Sequence, residues 1–192
     1  LRKAPAEREP NALLIAGIAE GAGATSVIAQ VRSDHRGLQE RDVRLLKQSL
    51  QTSLRVRMGA TPDTLKLAYD LKPDEVTLTG DDRDGPAVLA LDVAYHRDGL
   101  GKYVQGLVDG DMAASVLIDP DLDQLKAAHR LNVRRIVIDV QKVRDAKTRA
   151  DRDAVLLRIG DCARAAAKLG IHVSVGCGVT YLTARELAAI TE

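Results

Sequence analysis

The sequence predicts an α/β fold in which helices and parallel strands alternate along a single domain. Six short apolar or β-branched runs, typical of strands, are each followed by a stretch with apolar residues at helical spacing. Strict alternation requires a parallel sheet with helical crossovers. The chain has 192 residues, the length of one domain, and we take 1–192 as that domain. Two architectures satisfy the pattern: a doubly wound open sheet and a (β/α)8 TIM-type barrel.

Cap residues and apolar spacing predict seven helices. The first ends at Gly21, and the third begins at Thr61, a capping residue, with Pro62 in its first position. The charged run 142–152 is predicted as the solvent-exposed start of the sixth helix, which ends at Gly170. The predicted helices are 11–20, 40–53, 61–72, 96–108, 122–131, 146–169 and 183–190.

Six strands are predicted between these helices, at 25–32, 54–58, 75–79, 113–118, 135–140 and 171–175. The glycines Gly21 and Gly23 follow a helix rather than a strand, so they mark a helix end and not a dinucleotide-binding loop. The acidic run from Asp81 to Asp84 lacks the spacing and the terminal Glu of a calcium loop. We therefore predict a solvated turn there, and no metal site.

The composition excludes several classes of protein. Apolar residues make up 45% and charged residues 29%, which fits a folded globular protein rather than a disordered one. A net charge of +1 and only four aromatic residues, all Tyr, argue against nucleic acid as a partner. No apolar run approaches the roughly 20 residues that span a bilayer, so no membrane partner is expected. Two cysteines form no disulfide framework, and the charged N-terminus is unlike a signal peptide, which together predict the cytoplasm.

Four motifs resemble those of the pyridoxine 5′-phosphate synthase family. Residues 30–46, QVRSDHRGLQERDVRLL, are similar to the family's His-Leu-Arg-Glu-Asp-Arg-Arg-His pattern and the Asp-Arg-Asp-Val that follows it. The others are LDV at 91–93, DAKT at 145–148, and GCGVTY at 176–181, which matches the family's Gly-His-Gly-Leu-Thr-Tyr. The matches occur in order, with nearly constant spacing, across essentially the whole chain.

The resemblance implies a (β/α)8 barrel and a specific reaction. The family condenses 1-deoxy-D-xylulose 5-phosphate with 3-amino-2-oxopropyl phosphate to pyridoxine 5′-phosphate, releasing phosphate and water. It also implies a homo-oligomer, typically an octamer, and no cofactor is expected. Relative to the family pattern, the chain is expected to carry six of the eight strands and to lack the first strand, the eighth strand and the last helix.

The resemblance also implies that the acid–base residues of the family are replaced in this chain. The family has two His and one Glu, because imine formation, dehydration and enolisation need groups that titrate near neutral pH. The aligned residues here are Gln30, Arg57 and Cys177. Gln30 cannot usefully exchange a proton, and Arg57 is a permanent cation. Cys177 lies between two glycines before a helix, a setting that can activate a thiol. No histidine is positioned to activate it, which favours a tolerated small residue.

Two matches to the family's phosphate contacts survive, Arg32 for deoxyxylulose phosphate and Gly178 for the aminoketone phosphate. Other substrate contacts are altered, at Pro5, Gly37, Ala87 and the sixth-strand motif 137–141. Strand alternation places Arg57 and Asp139 on the inward face, close to Arg32 at the mouth. One hypothesis is an anion-binding mouth with Asp139 as a partial counter-charge. The favoured alternative is a simple Arg57–Asp139 ion pair, because an unpaired buried charge is costly.

We therefore interpret the chain as a diverged pyridoxine 5′-phosphate synthase-like barrel. In this interpretation it is a pseudoenzyme, or a protein repurposed to bind a phosphorylated small molecule or to act by assembly. The alternative is an active synthase, a transferase of vitamin B6 biosynthesis. Losing one catalytic acid or base often costs ~10²–10⁴-fold in rate, so the replacement of three disfavours this alternative. Whether the chain is an enzyme is left open by the sequence.

Overall fold

The computed structural model describes residues 11–32, 37–80 and 88–190. These residues form six strands and eight helices. The strands are β1 (Ser26–Gln30), β2 (Ser53–Gly59), β3 (Glu75–Thr79), β4 (Ala113–Ile118), β5 (Arg135–Asp139) and β6 (His172–Gly176). The helices are α1 (Ala12–Gly21), α2 (Glu40–Ser49), α3 (Pro62–Leu71), α4 (Arg97–Asp109), α5 (Leu122–Arg130), α6 (Gln141–Asp145), α7 (Arg149–Lys168) and α8 (Tyr181–Ala188).

The strands form one sheet in the order β1-β2-β3-β4-β5-β6, and every neighbouring pair is parallel. A doubly wound sheet reverses its strand order at a switch point, and this sheet does not, so that alternative is excluded. Crossovers of a single hand in a sequential order put the helices on one face of the sheet. The six strands therefore curl into a half-barrel with the helices outside, as in an α/β barrel.

The hydrophobic core lies between the helices and the convex face of the sheet. On β2 buried and partly exposed side chains alternate, with Leu54, Val56 and Met58 turned to the helices and Arg55 and Arg57 to the concave face. Burying one such aliphatic side chain stabilises the fold by about 1.5–3 kcal/mol. The largest fully buried members of this core are all non-aromatic, as the scarcity of aromatic residues requires: Leu46, Leu54, Met58, Leu100, Leu107, Ile118, Leu125, Ile136, Ile138 and Ile159.

Several predicted elements are confirmed to the residue. The strands β3 and β4 have the predicted bounds, and α3 begins after Thr61, whose side-chain oxygen accepts a hydrogen bond from the backbone amide of Thr64. Pro62 fits the first position of α3 because a backbone N–H at that position, which proline lacks, would have no acceptor within the helix. Local capping chemistry was therefore sufficient to place the start of α3.

Two helix predictions were wrong by more than two residues, whereas the bounds of the others agree to within two residues. The helix predicted at 40–53 ends at Ser49, because Leu50 is extended and β2 begins at Ser53. The single helix predicted at 146–169 is α6 and α7, so the described residues form eight helices rather than seven. Thr148 causes the break, because its extended backbone and its hydrogen bond to the amide of Asp151 start a new helix. The charged run 142–152 thus spans most of α6, the break and the first turn of α7.

The acidic run Asp81–Asp84, Pro5 and Ala87 lie outside the described residues. Within the described ranges, no helix combines the length and the apolar character needed to cross a membrane.

The amino half of the concave face is held by a network around Glu75, which is 5% exposed. Its carboxylate lies 3.3 Å from Nη1 of Arg135 and 3.6 Å from Nε of Arg55. Ser115 donates its hydroxyl to Glu75 at 2.8 Å and lies 2.8 Å from the hydroxyl of Thr77. A buried carboxylate requires such partners, so this network joins β2, β3, β4 and β5 across the interior.

We predict that Glu75→Gln lowers the free energy of unfolding by about 1–3 kcal/mol, because it leaves two arginines without their carboxylate. The matched control is Asp153→Asn, which breaks an exposed pair with Arg149 at 3.7 Å and should cost less than about 0.5 kcal/mol. Urea denaturation of both variants measures the difference. Equal effects would show that the network does not stabilise the half-barrel.

Candidate functional site

The replaced family positions lie at one end of the sheet. Gln30 is the last residue of β1 and pairs in register with Arg57 on β2. Asp139 is the last residue of β5 and pairs with Gly176, which directly precedes Cys177. All of these are at the carboxyl ends of parallel strands, where α/β barrels bind their ligands. We call this end the mouth of the half-barrel.

Arg57 spans the mouth. Its Nη1 donates to Sγ of Cys177 at 3.4 Å, so the side chain reaches from β2 to the residue that follows β6. A Cβ on Gly176 would lie only 2.7 Å from Nη2 of Arg57 and 3.1 Å from Cγ1 of Val137. Gly176 therefore makes room for the guanidinium. The Nε atom of Arg57 is buried and has no hydrogen-bond partner.

The ion pair favoured from the sequence does not form between Arg57 and Asp139 in the described part of the chain. Asp139 instead accepts a hydrogen bond from the backbone amide of Gln141 at 2.7 Å. Burial raises the pKa of Asp139 above its ordinary value, opposed by that amide and, through space, by the charges of Lys142 and Arg57. The two side chains therefore interact by charge at a distance and not by contact.

Cys177 has a left-handed backbone, with φ of 59°, which residues other than glycine seldom adopt. Burial raises the pKa of its thiol, and the nearby Arg57 cation only partly opposes this shift. No histidine of the described ranges hydrogen-bonds the sulfur, and His35 lies outside them. A thiol with a raised pKa stays protonated at neutral pH, so these observations favour a tolerated small residue over an activated nucleophile.

The two surviving phosphate matches lie at the mouth but at opposite edges of the sheet. Arg32 is half-buried, two residues beyond β1, and the adjacent Val31 donates its amide to the carbonyl of Arg57 at 2.9 Å. Gly178 follows β6 with φ of 130°, and a Cβ there would lie 2.7 Å from the Cα of Gln141. The loop after β6 is thus packed against the start of α6. The phosphate contacts assigned to both residues stay predictions.

The sequence did not reveal Gly176 as a functional position, although it is part of the GCGVTY motif. The sequence signal for Gly176 was indirect. Arg57, on a strand that faces Gly176 across the barrel, needs space for its side chain. Among the described residues, no group of three or more His, Cys, Asp or Glu side chains is arranged to hold a metal ion.

Two cavities among the described residues have walls that do not include Arg57. One of about 440 Å³ lies beside the mouth between Thr61, Thr79, Leu91, His96 and Tyr103. A larger one of about 800 Å³ lies between α7, the end of α8 and the amino end of β6. Because the larger cavity is at the opposite end of β6 from Cys177, we place the candidate site at the mouth. Neither cavity was predicted, since both depend on how helices pack on the sheet.

The match to a protein family covers all of the chain. A family model described as "Pyridoxal phosphate biosynthesis protein PdxJ" matches residues 1–192. The chain belongs to this family. The resemblance noted in the sequence motifs is thereby confirmed.

Curated relatives of this chain carry the name pyridoxine 5′-phosphate synthase. That of Syntrophotalea carbinolica is 36% identical over 191 residues, which are 99% of this chain and 80% of the relative. That of Desulforapulum autotrophicum is 35% identical over 193 residues, 100% of this chain and 81% of the relative. A chain in the crystal structure of the Amycolatopsis orientalis BexX/CysO complex has a TM-score of 0.51 at 16% identity, covering 96% of this chain and 85% of that one. This last similarity concerns the fold alone.

We predict that Cys177 reacts with iodoacetamide at neutral pH more slowly than the thiol of an unstructured peptide, because its raised pKa lowers the thiolate fraction. Arg57→Gln should slow the reaction further, since the cation favours the thiolate. Peptide mass spectrometry separates Cys177 from Cys162, whose pKa burial raises to about 11. A rate at or above that of the peptide would identify an activated cysteine instead.

We also predict that Gly178→Ala destabilises the protein more than Gly23→Ala does. Both glycines have positive φ, but a Cβ at Gly23 meets nothing within 4 Å, whereas one at Gly178 meets the backbone of Gln141. Strain alone should cost more than about 1 kcal/mol, and the clash should add about 1–3 kcal/mol. Urea denaturation measures both, and equal losses would mean that the loop after β6 moves freely away from α6.

Proposed function

We propose that this PdxJ-family chain binds a phosphorylated small molecule at its mouth and has lost the condensation reaction of the family. It would then be a pseudoenzyme or a repurposed binding protein. One observation carries this proposal: the Arg57 guanidinium stands where the family has its glutamate and donates to Cys177, which stands where the family has its second histidine. A hydrogen bond between a permanent cation and a thiol replaces an acid–base pair.

The residues at the three replaced family positions are poorly suited to transfer protons. The amide of Gln30 does not titrate, and Arg57 does not release its proton near neutral pH. Burial raises the pKa of Cys177, so its thiolate is scarce where the family's histidine would exchange protons. Since each general acid or base contributes about 10²–10⁴-fold, the loss of three leaves little of the family reaction.

Binding of an anion is better supported. Arg57 and Arg32 both lie at the mouth, and Gly178 packs the loop after β6 against α6. That loop leads into α8, whose N-terminus is capped by Thr180 and carries a partial positive charge. Barrels of this type commonly bind phosphate with such loops and helix N-termini.

An active pyridoxine 5′-phosphate synthase is the second candidate. Relatives with that name are 34–36% identical over nearly the full chain, which favours a common activity. Asp139 is a carboxyl group at the mouth, and burial raises its pKa above its ordinary value. In this case Asp139 would carry the proton in place of the family's residues.

We further propose that the half-barrel belongs to a complete (β/α)8 barrel that assembles into a homo-oligomer. Within the described sheet, β1 and β6 are edge strands, and bare edges invite pairing with further strands. Beside β1, the side chains of Leu14, Ile15 and Ile18 on α1 are more than half exposed. An apolar cluster of this kind is typical of a surface that another element covers.

A direct assay separates the two candidates. The protein is mixed with 1-deoxy-D-xylulose 5-phosphate and 3-amino-2-oxopropyl phosphate, and pyridoxine 5′-phosphate is measured by mass spectrometry. We expect no product above a control without protein. The triple variant Gln30→His, Arg57→Glu, Cys177→His should form more product than the unaltered chain, because it restores three groups worth about 10²–10⁴-fold each.

Product from the unaltered chain, well above the control, would contradict the loss of activity and support the synthase. Asp139→Asn then tests the proposed proton carrier: abolished turnover with retained substrate binding would implicate Asp139. Circular dichroism and the urea midpoint of each variant exclude loss of fold as the cause.

A further inference from the structure

The charge of Arg57 has no ionic partner among the described carboxylates of the concave face. Glu75 already lies between Arg55 and Arg135, at 3.6 and 3.3 Å. Asp139 accepts the amide of Gln141 and does not contact Arg57. The hydrogen bond from Arg57 ends on a sulfur, a weak acceptor. The guanidinium of Arg57 therefore differs from the arginines deeper in the half-barrel, which pair with Glu75.

The guanidinium also has one edge that forms no hydrogen bond with the residues that the structure describes. Nη1 is bound to Cys177, whereas Nε is buried without a partner and Nη2 lies over Gly176, which has no side chain. Nε and Nη2 point their hydrogens in the same direction, so together they match the two oxygens of a carboxylate. A buried donor without an acceptor is costly, and a ligand oxygen at Nε would remove that cost.

The surroundings favour a group with a single negative charge. The negative charge of Asp139 acts on Arg57 through space. It would also repel a bound anion, and the repulsion increases with the negative charge of that anion. A phosphate monoester carries between one and two charges at neutral pH, and a carboxylate carries one. Beside Gly176, the Cγ1 of Val137 would lie 3.1 Å from an added Cβ, so the space next to Nη2 is narrow and suits a flat group.

We propose that the mouth binds a phosphorylated carboxylic acid, with the ligand's carboxylate on the Nε–Nη2 edge of Arg57 and its phosphate toward the loop at Gly178. This proposal rests on the proposed function, because it assumes a phosphate site at the mouth, and it adds the class of the ligand. Arg57 then determines specificity rather than chemistry. No bond is formed or broken in this step.

The test compares 2-phosphoglycolate with ethyl phosphate, which has the same phosphate ester and no carboxylate. Isothermal titration calorimetry should show that the first binds at least about 10-fold more tightly, as expected for charge-assisted bidentate hydrogen bonds. Arg57→Gln should bring the ratio of the two affinities close to one. Arg57→Lys should retain only part of the preference, because a lysine keeps the charge but not the paired donors.

The matched control is Arg55→Gln, which removes an arginine from the same strand and face but not from the mouth. It should leave the ratio unchanged even if it lowers stability. If Arg57→Gln still binds 2-phosphoglycolate more tightly than ethyl phosphate by the original factor, the inference is overturned. It is also overturned if Arg55→Gln lowers the ratio of the two affinities as much as Arg57→Gln does. Tighter binding of 1,3-propanediol bisphosphate than of 2-phosphoglycolate would overturn it in favour of a second phosphate.

The same titrations separate this inference from the proposed function. Equal binding of ethyl phosphate and 2-phosphoglycolate would overturn the carboxylate site and leave phosphate binding supported. If neither compound binds at millimolar concentration to protein with a normal urea midpoint, both the phosphate site and the inference built on it are wrong.

Discussion

The parallel pairing of each strand with its successor in the chain is the constraint on which the site depends. This order keeps the helices on one face, so the opposite face of every strand is turned to the interior. The two-residue periodicity of a strand then divides β2, with Val56 and Met58 packed on helices and Arg55 and Arg57 facing inward. The charged interior follows from this alternation.

The concave face holds its charges in two layers with different properties. Near the amino ends of the strands, Glu75 lies between two arginines, so the charges of this layer pair with one another. At the mouth, the Arg57 side chain donates to the thiol of Cys177 and pairs with no carboxylate of the described residues, although Arg57 and Cys177 are 120 positions apart in the sequence. The small Cys177 and the missing side chain of Gly176 leave space for the guanidinium. The replacements at these family positions therefore fit one another in space.

Local signals were sufficient for most of the secondary structure. The bounds of β3 and β4 and the Thr61 cap of α3 depend on neighbouring residues, so the sequence predicted them directly. The break at Thr148 was missed because the charged residues on either side continue a helical pattern. Only the hydrogen bond from Asp151 to the Thr148 side chain shows that the chain restarts there. Helical spacing reports which face is apolar and says little about where a helix stops.

The sequence by itself determined the family, the alternation of strands and helices, and the replacement of the acid–base residues at Gln30, Arg57 and Cys177. It could not determine which charges meet. Charge alone favoured a pair between Arg57 and Asp139, but in the folded chain the Arg57 guanidinium ends on Cys177 and Asp139 accepts the amide of Gln141. Tertiary structure placed Arg57 on Cys177, paired Glu75 with two arginines, and gave Gly176 its role. Such contacts depend on sheet curvature and strand register, which arise only when all six strands are assembled.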